Sequence, residues 1–264
     1  MKRVILLGFL AFTAANLAFG QTWTGIKVMD EQAERHKSTS EFSNETMTLV
    51  DKNGNEEKRK MRRFSKEIQP ETNRFLMVFD DPASINGTAL LTWDNDGPDD
   101  DQWMFLPAQK RLQRIAKGSK KGYFMGTDFT FEDLEPEERD NFTYEIIRSD
   151  TISKLDVWVI KAVPANNDVA KSSGYKYRLL WVLKKYFFTV KIEFFDKRET
   201  KIKTQVNGRL KKINGSRYRA NKAIMTNHKT NHKTIMEVVS RKIDKALDST
   251  IFTERYITSR RHMR

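Results

Sequence analysis

The sequence predicts a mainly β protein built on one large, strongly curved antiparallel sheet, closed or nearly so. Three observations carry that reading. Around ten segments rich in aromatic and β-branched residues follow one another after about Ser40, joined by short turns, and a sheet of that size curls instead of lying flat. The 12 Gly and 6 Pro are scattered and no low-complexity linker divides the 264 residues, so one domain over 21–264 is expected. The run Trp103-Met104-Phe105-Leu106 is apolar on both faces of its strand. Successive side chains point to opposite faces, so each face needs cover.

The elements can be taken in order. Lys2 and Arg3 precede an apolar run from Val4 to Ala15, and small residues Ala18 and Gly20 frame a cut before Gln21, so 1–20 reads as a cleaved secretory signal. The run is too short for the roughly 20 apolar residues of a membrane span. Ile26, Met29 and Ala33 fall on one side of a short amphipathic helix. Residues 42–50 and 58–68 read as a hairpin around Asn53-Gly54, a pair that favours positive φ. Strands at 73–80 and 88–94 are split by DDPASING, and DNDGPDD leads into the two-faced strand. Further strands follow at 142–148, 154–163, 176–183 and 187–195. In the last, Phe188, Val190, Ile192 and Phe194 share one face while Thr189, Lys191 and Glu193 take the other. Segments 201–207, 209–213 and 234–243 continue the meander, and 252–257 is expected to close the sheet.

Charge and composition narrow the function. Lys and Arg total 48 against 35 Asp and Glu, and seventeen of those bases against four acids lie from Lys201 onward. A basic last third favours an anionic membrane surface or an acidic partner, and export argues against nucleic acid. Cysteine is absent, which excludes disulfides, a thiolate nucleophile and acylation at the cut. No GxSxG elbow or glycine-rich phosphate loop is present, so no catalytic residue is assigned and the protein is read as a non-enzyme needing no cofactor. Glu132 with Asp133, or Glu135 with Glu137, reads better as surface acids near a helix start than as a glycosidase pair. No metal is expected: Asp94–Asp101 places Asp99 where an EF-hand loop needs Gly, and His228 and His232 lack a third ligand.

Several ordered blocks carry a family resemblance. Gly87-Thr-Ala-Leu-Leu, Gln102-Trp-Met-Phe-Leu-Pro-Ala, Lys110-Arg-Leu-Gln-Arg-Ile and Gly122-Tyr-Phe-Met-Gly-Thr-Asp-Phe-Thr-Phe-Glu-Asp-Leu together resemble the signature of the bacterial outer-membrane lipoprotein-sorting proteins of the LolA-like class, with the distinctive part at about 75–136. The resemblance implies a periplasmic, half-open β-barrel with short helices over its mouth and an apolar cavity for acyl chains. It also implies an inner-membrane lipid-exporting permease, of RND or ABC type, as donor. The expected cavity lining is Phe75, Met77, Phe79, Leu91, Trp103, Phe105, Trp158, Phe188 and Val190. Phe124, Phe129 and Phe131 are expected at a lid or rim, where Thr130 can cap a short helix. Lys201, Lys203, Arg209, Lys211 and Lys212 are expected to dock the protein on anionic headgroups or an acidic permease domain. The leading function is a carrier moving lipid or lipoprotein acyl groups towards the outer membrane, and the alternative is a lipid-binding sensor or adaptor of the same fold that does not transport. Periodicity assigns residues to faces but does not say which face is hollow.

Overall fold

Period-two patterning between Ser40 and Ile243 resolves into thirteen antiparallel strands of one sheet. The computed structural model describes residues 22–95 and 99–263, so the signal expected at 1–20 lies outside the described residues. One arm of the sheet is β1 (Ser40–Val50), β2 (Glu56–Gln69), β3 (Thr72–Asp81), β4 (Ala89–Trp93), β5 (Asp101–Leu106) and the edge strand β6 (Arg111–Arg114). The other is β7 (Phe142–Ile152), β8 (Leu155–Pro164), β9 (Tyr177–Leu183), β10 (Phe188–Phe195), β11 (Lys201–Asn214), β12 (Arg217–Asn227) and β13 (His232–Ile243), with the short helix α2 (Asn167–Ser172) between β8 and β9. In space the order is β6-β5-β4-β3-β2-β1-β13-β12-β11-β10-β9-β8-β7, so β13 joins the arms at β1 while β6 and β7 are the two free edges. Residues 115–141, which connect those edges, must therefore travel from one side of the sheet to the other.

Packing shows how strongly the sheet bends. Met77 and Phe79 of β3 share a core cluster with Phe194 of β10, six strands away, around Phe124 and Phe129 of the 115–141 crossover. A flat sheet would hold those strands about 29 Å apart at 4.8 Å per step. The sheet is thus a half-open barrel, as the resemblance implies, and the crossover lies in its hollow and not over its mouth. The inner face is also covered by α1 (Gly25–His36), whose Thr24 caps the Lys27 amide and whose Val28 and Met29 pack against Ile160, Leu180 and Val182. Gly25 is required there, because a Cβ would stand 2.4 Å from the Tyr144 carbonyl oxygen. The buried stripe of α1 is Val28 and Met29, while Ile26, expected to face inward, is exposed because α1 meets the sheet one position further round.

Three local expectations change. Residues 252–257 do not close the sheet: 249–252 form a 3-10 turn and α3 (Glu254–Thr258) follows, with Thr253 accepting from the Tyr256 amide. Helical geometry lets Phe252 and Ile257 press together onto the outer face of β3–β5, which a strand would not allow. The expected strands at 201–207 and 209–213 are one continuous strand, bent at Arg209 with φ 51°. Asn214-Gly215 then turns the chain into β12, which the sequence reading passed over because it is mixed in polarity throughout. By contrast the hairpin at Asn53-Gly54 forms as expected, Gly54 at φ 87°. The Asp133 amide also donates to Thr130 Oγ1 at 3.2 Å, the cap read from the sequence, on a 3-10 turn.

Candidate functional site

The crossover is bolted to the inner face by buried polar contacts. Thr234 Oγ1 accepts from the Asp128 amide (2.9 Å) and donates to the Asp128 carboxylate (2.8 Å), which also meets His232 Nδ1 at 2.7 Å. Lys203 Nζ, almost fully buried, pairs with Asp133, and Tyr175 donates to the same carboxylate at 2.8 Å. Arg59 donates to the Met125 carbonyl at 2.7 Å. Under this strap Phe124 and Phe129 are buried against Met47, Met61 and Phe79, and Phe131 packs beside them. The middle of the hollow is thereby filled by the protein itself.

Beside the strap a cleft remains. It lies between α1 and residues 134–141, over the inner face of β1–β4, and its volume is about 1510 Å³. That exceeds the roughly 300–1,000 Å³ of a site for a drug-sized ligand. One side of its floor is apolar, from Phe75, Met77 and Leu90 with Leu134 above. The other side is ionic: Arg219 and Arg241 clamp Glu41 at 2.7 and 2.6 Å, Ser43 donates to the buried Glu45 at 2.6 Å, and Arg63 lies 3.7 Å from Glu45. Burial lowers the pKa of Arg241, offset in part by the Glu41 charge. Such a cleft is matched to an amphiphile, with room for a tail over Met77 and hydrogen-bonding groups for a head.

The expected lining residues do not converge on one place. Phe75 and Met77 border the cleft, and Phe79 is on the same face but sealed beneath the strap, its ring 5.9 Å from Phe124. Leu91, Trp103 and Phe105 point to the outer face, where they pack with Phe252 and Ile257. Inner-facing residues of those strands are instead Leu90, Thr92 and Gln102, the last donating to the Phe131 carbonyl at 3.2 Å. This answers the two-faced strand: the strap covers one side of β5 and the C-terminal turn and helix the other. Trp158 is inward at the far end, its ring tilted against those of Trp23 and Phe187 beside α1, whereas Phe188 and Val190 belong with the outer cluster around Trp181. Phe124, Phe129 and Phe131, expected at a lid or rim, pack into the hollow and not at its mouth. Among the basic residues Lys201, Arg209, Lys211 and Lys212 are exposed, but Lys203 is 1% exposed and spoken for by Asp133, so it is withdrawn from any docking surface.

The acids read as surface groups near a helix start are instead drawn inward by structural partners, Asp133 keeping only 2% of its side chain exposed. Glu132 accepts from Ser173 Oγ and the Gly174 amide, Asp133 pairs with Lys203, Glu135 pairs with Lys120, and Glu137 accepts twice from Arg178 and once from Tyr144. Sequence reasoning missed the Glu41–Arg219–Arg241 group. A signal was available, since Glu41, Ser43 and Glu45 alternate along one strand face, but nothing in the sequence joins them to arginines some 180 residues away.

Comparison with known proteins agrees with this architecture. A solved outer membrane lipoprotein-sorting protein domain from Vibrio parahaemolyticus superposes with a TM-score of 0.83 at 28% identity, covering 89% of this chain and 98% of that one. A family model described as "-like: Uncharacterized protein" matches residues 71–259. The chain belongs to the family which that model describes, and its fold is that of the outer-membrane lipoprotein-sorting domain. Two further solved structures share the fold: a DUF1329 family protein from Desulfovibrio piger (TM-score 0.83, 23% identity, 88% of this chain and 97% of that) and a LolA superfamily protein from Nitrosomonas europaea (0.70, 20%, 89% and 100%). No curated protein matches the chain. In this family member no described helix is long and apolar enough to cross a membrane.

Proposed function

We propose that the protein is a periplasmic carrier which takes up an acyl-bearing lipid or lipoprotein in the cleft between α1 and the strap and moves it from an inner-membrane permease towards the outer membrane. The observation that carries the reading is the cleft itself: about 1510 Å³, with an apolar side and a polar, partly ionic side, in a chain similar to a lipoprotein-sorting domain over 89% of its length. Hiding acyl carbon from water is worth roughly 0.8 kcal/mol per CH₂, so a sixteen-carbon chain left in water forfeits on the order of 10 kcal/mol. Phe75, Met77, Leu90 and Leu134 supply non-directional contact for it, and such contact can be surrendered on delivery without breaking a fixed hydrogen-bond geometry. The reading needs binding and release but no chemistry.

The exported protein is purified, extracted with organic solvent and assayed for uptake from vesicles. Acyl-bearing species are expected in the extract, and Phe75→Asp is expected to cut uptake ten-fold or more. Trp103→Ala, on the outer face, should cost stability while sparing uptake. A chain that neither carries nor accepts lipid at any stoichiometry overturns the proposal. Transfer between two vesicle populations separates a carrier from a sensor, which would bind acyl chains without moving them.

A further inference from the structure

We infer that Asp94, Asp100 and Glu138 form a binding site for a hard divalent cation of the calcium class, which ties the end of β4 and the start of β5 to the end of the strap. One carboxylate oxygen from each residue lies within 4.8 Å of those from the other two. Two oxygens on a single calcium ion at about 2.4 Å can stand no further apart than about 4.8 Å, so the three are already within reach of one ion. All-oxygen donors at a partly open place suit calcium and magnesium rather than zinc or copper.

The cluster is short of positive charge. Asp94 and Asp100 are 5% and 7% exposed, and Glu138 is half-buried. Asp100 Oδ2 is buried with no hydrogen-bond partner among the described residues, a costly state that a cation would relieve. The neighbouring cations are engaged elsewhere. Lys120 donates to the Asp100 main-chain carbonyl and pairs with Glu135, Arg74 donates to the Asp94 carbonyl, and Arg139 holds Asp30 at 2.8 Å. Asp94 itself is held in place by the amide and side chain of Asn73, both donating to Oδ2 at 3.0 Å.

The spacing along the chain hides this site. Residues 94 to 101 do not follow an EF-hand loop, and Glu138 comes from the far side of the strap. Asp94 and Glu138 border the large cleft, and Asp100 and Glu138 border a second hollow of about 240 Å³, so an ion could enter from solvent on either side. The cation stands independently of what the cleft carries.

The test is calorimetric titration of the chelator-treated full mature chain with calcium chloride alone, at neutral pH, followed by thermal unfolding. One calcium per chain and a raised unfolding midpoint are expected. Asp100→Asn and Glu138→Gln should each weaken binding ten-fold or more, while Asp99→Asn, at an exposed neighbour, should not. Because the neutral variants relieve repulsion, they should unfold at or above the midpoint of the calcium-free wild type, so lost binding cannot be laid to misfolding. No binding by the wild type at millimolar calcium, or unchanged affinity in Asp100→Asn, overturns the inference.

Discussion

Lys203 shows how much one side chain's meaning depends on its face. It sits among exposed bases in the sequence, yet on β11 it points inward, where its ammonium contacts Asp133 and lies 5.0 and 4.9 Å from the rings of Tyr175 and Phe194. Removing one partner of such a pair strands the other charge in a poorly solvated place. Lys203→Met is therefore expected to cost about 3–5 kcal/mol in denaturant unfolding, and Lys203→Met with Asp133→Leu to regain most of it. A second residue-scale effect concerns His36. Its Nε2 donates to the carbonyls of Phe187 and Tyr186 at 3.0 and 3.2 Å, and its Nδ1 accepts from the Tyr218 amide at 3.1 Å, an arrangement that only the neutral ring satisfies. Burial accordingly depresses its pKa below 6.5. As pH falls below 6.5 the unfolded chain takes up a proton that the folded one refuses, so stability declines until the folded value is crossed. The raised carboxylates of Asp100 and Glu138 act with the opposite sign, their contribution being lost as pH rises through about 6 to 8. The histidine effect is thus read as a difference: between pH 8 and pH 5, His36→Gln should lose less stability than the wild type.

At the scale of elements, the crossover and the C-terminal segment determine what each face of the sheet can do. The strap fills the hollow's centre and is held by Asp128, Asp133 and Met125 contacts to three strands. The C-terminal turn and α3 seal the outer face of β3–β5, with His262 Nε2 donating to the Gly87 carbonyl (2.9 Å) and its ring edge-on to Phe105. Ile257 is fully buried there. Ile257→Ala is expected to lower unfolding free energy by about 2–5 kcal/mol while leaving lipid uptake unchanged. Loss of uptake at wild-type stability would instead place the guest on the outer face.

For the molecule as a whole, the basic last third ends up distributed between structure and surface. Arg219 and Arg241 are inside the cleft, Lys203 is under the strap, and Lys201, Lys211 and Lys212 remain in solvent along β11. Binding to anionic vesicles is expected to weaken with added salt, since exposed charges are screened over about 8 Å at physiological ionic strength. Charge reversal of Lys201, Lys211 and Lys212 should flatten that dependence, and reversal that leaves vesicle binding and its salt slope untouched would remove the docking role.

The strands, the first hairpin, the Thr130 cap and the need for cover on both faces of β5 were all legible in the sequence, because period, turn chemistry and capping are local properties of a few consecutive residues. The family blocks added the half-open barrel. Neither could say that Leu90, not Leu91, looks into the hollow, since a strand's two faces are equivalent until something packs on one of them. Nor could they foresee that the strap would plug the centre and leave an amphipathic cleft at its side, or gather Asp94, Asp100 and Glu138 within reach of one ion. Those outcomes depend on contacts between residues far apart in the chain, which exist only once β13 has closed against β1 and drawn the two arms around a shared interior.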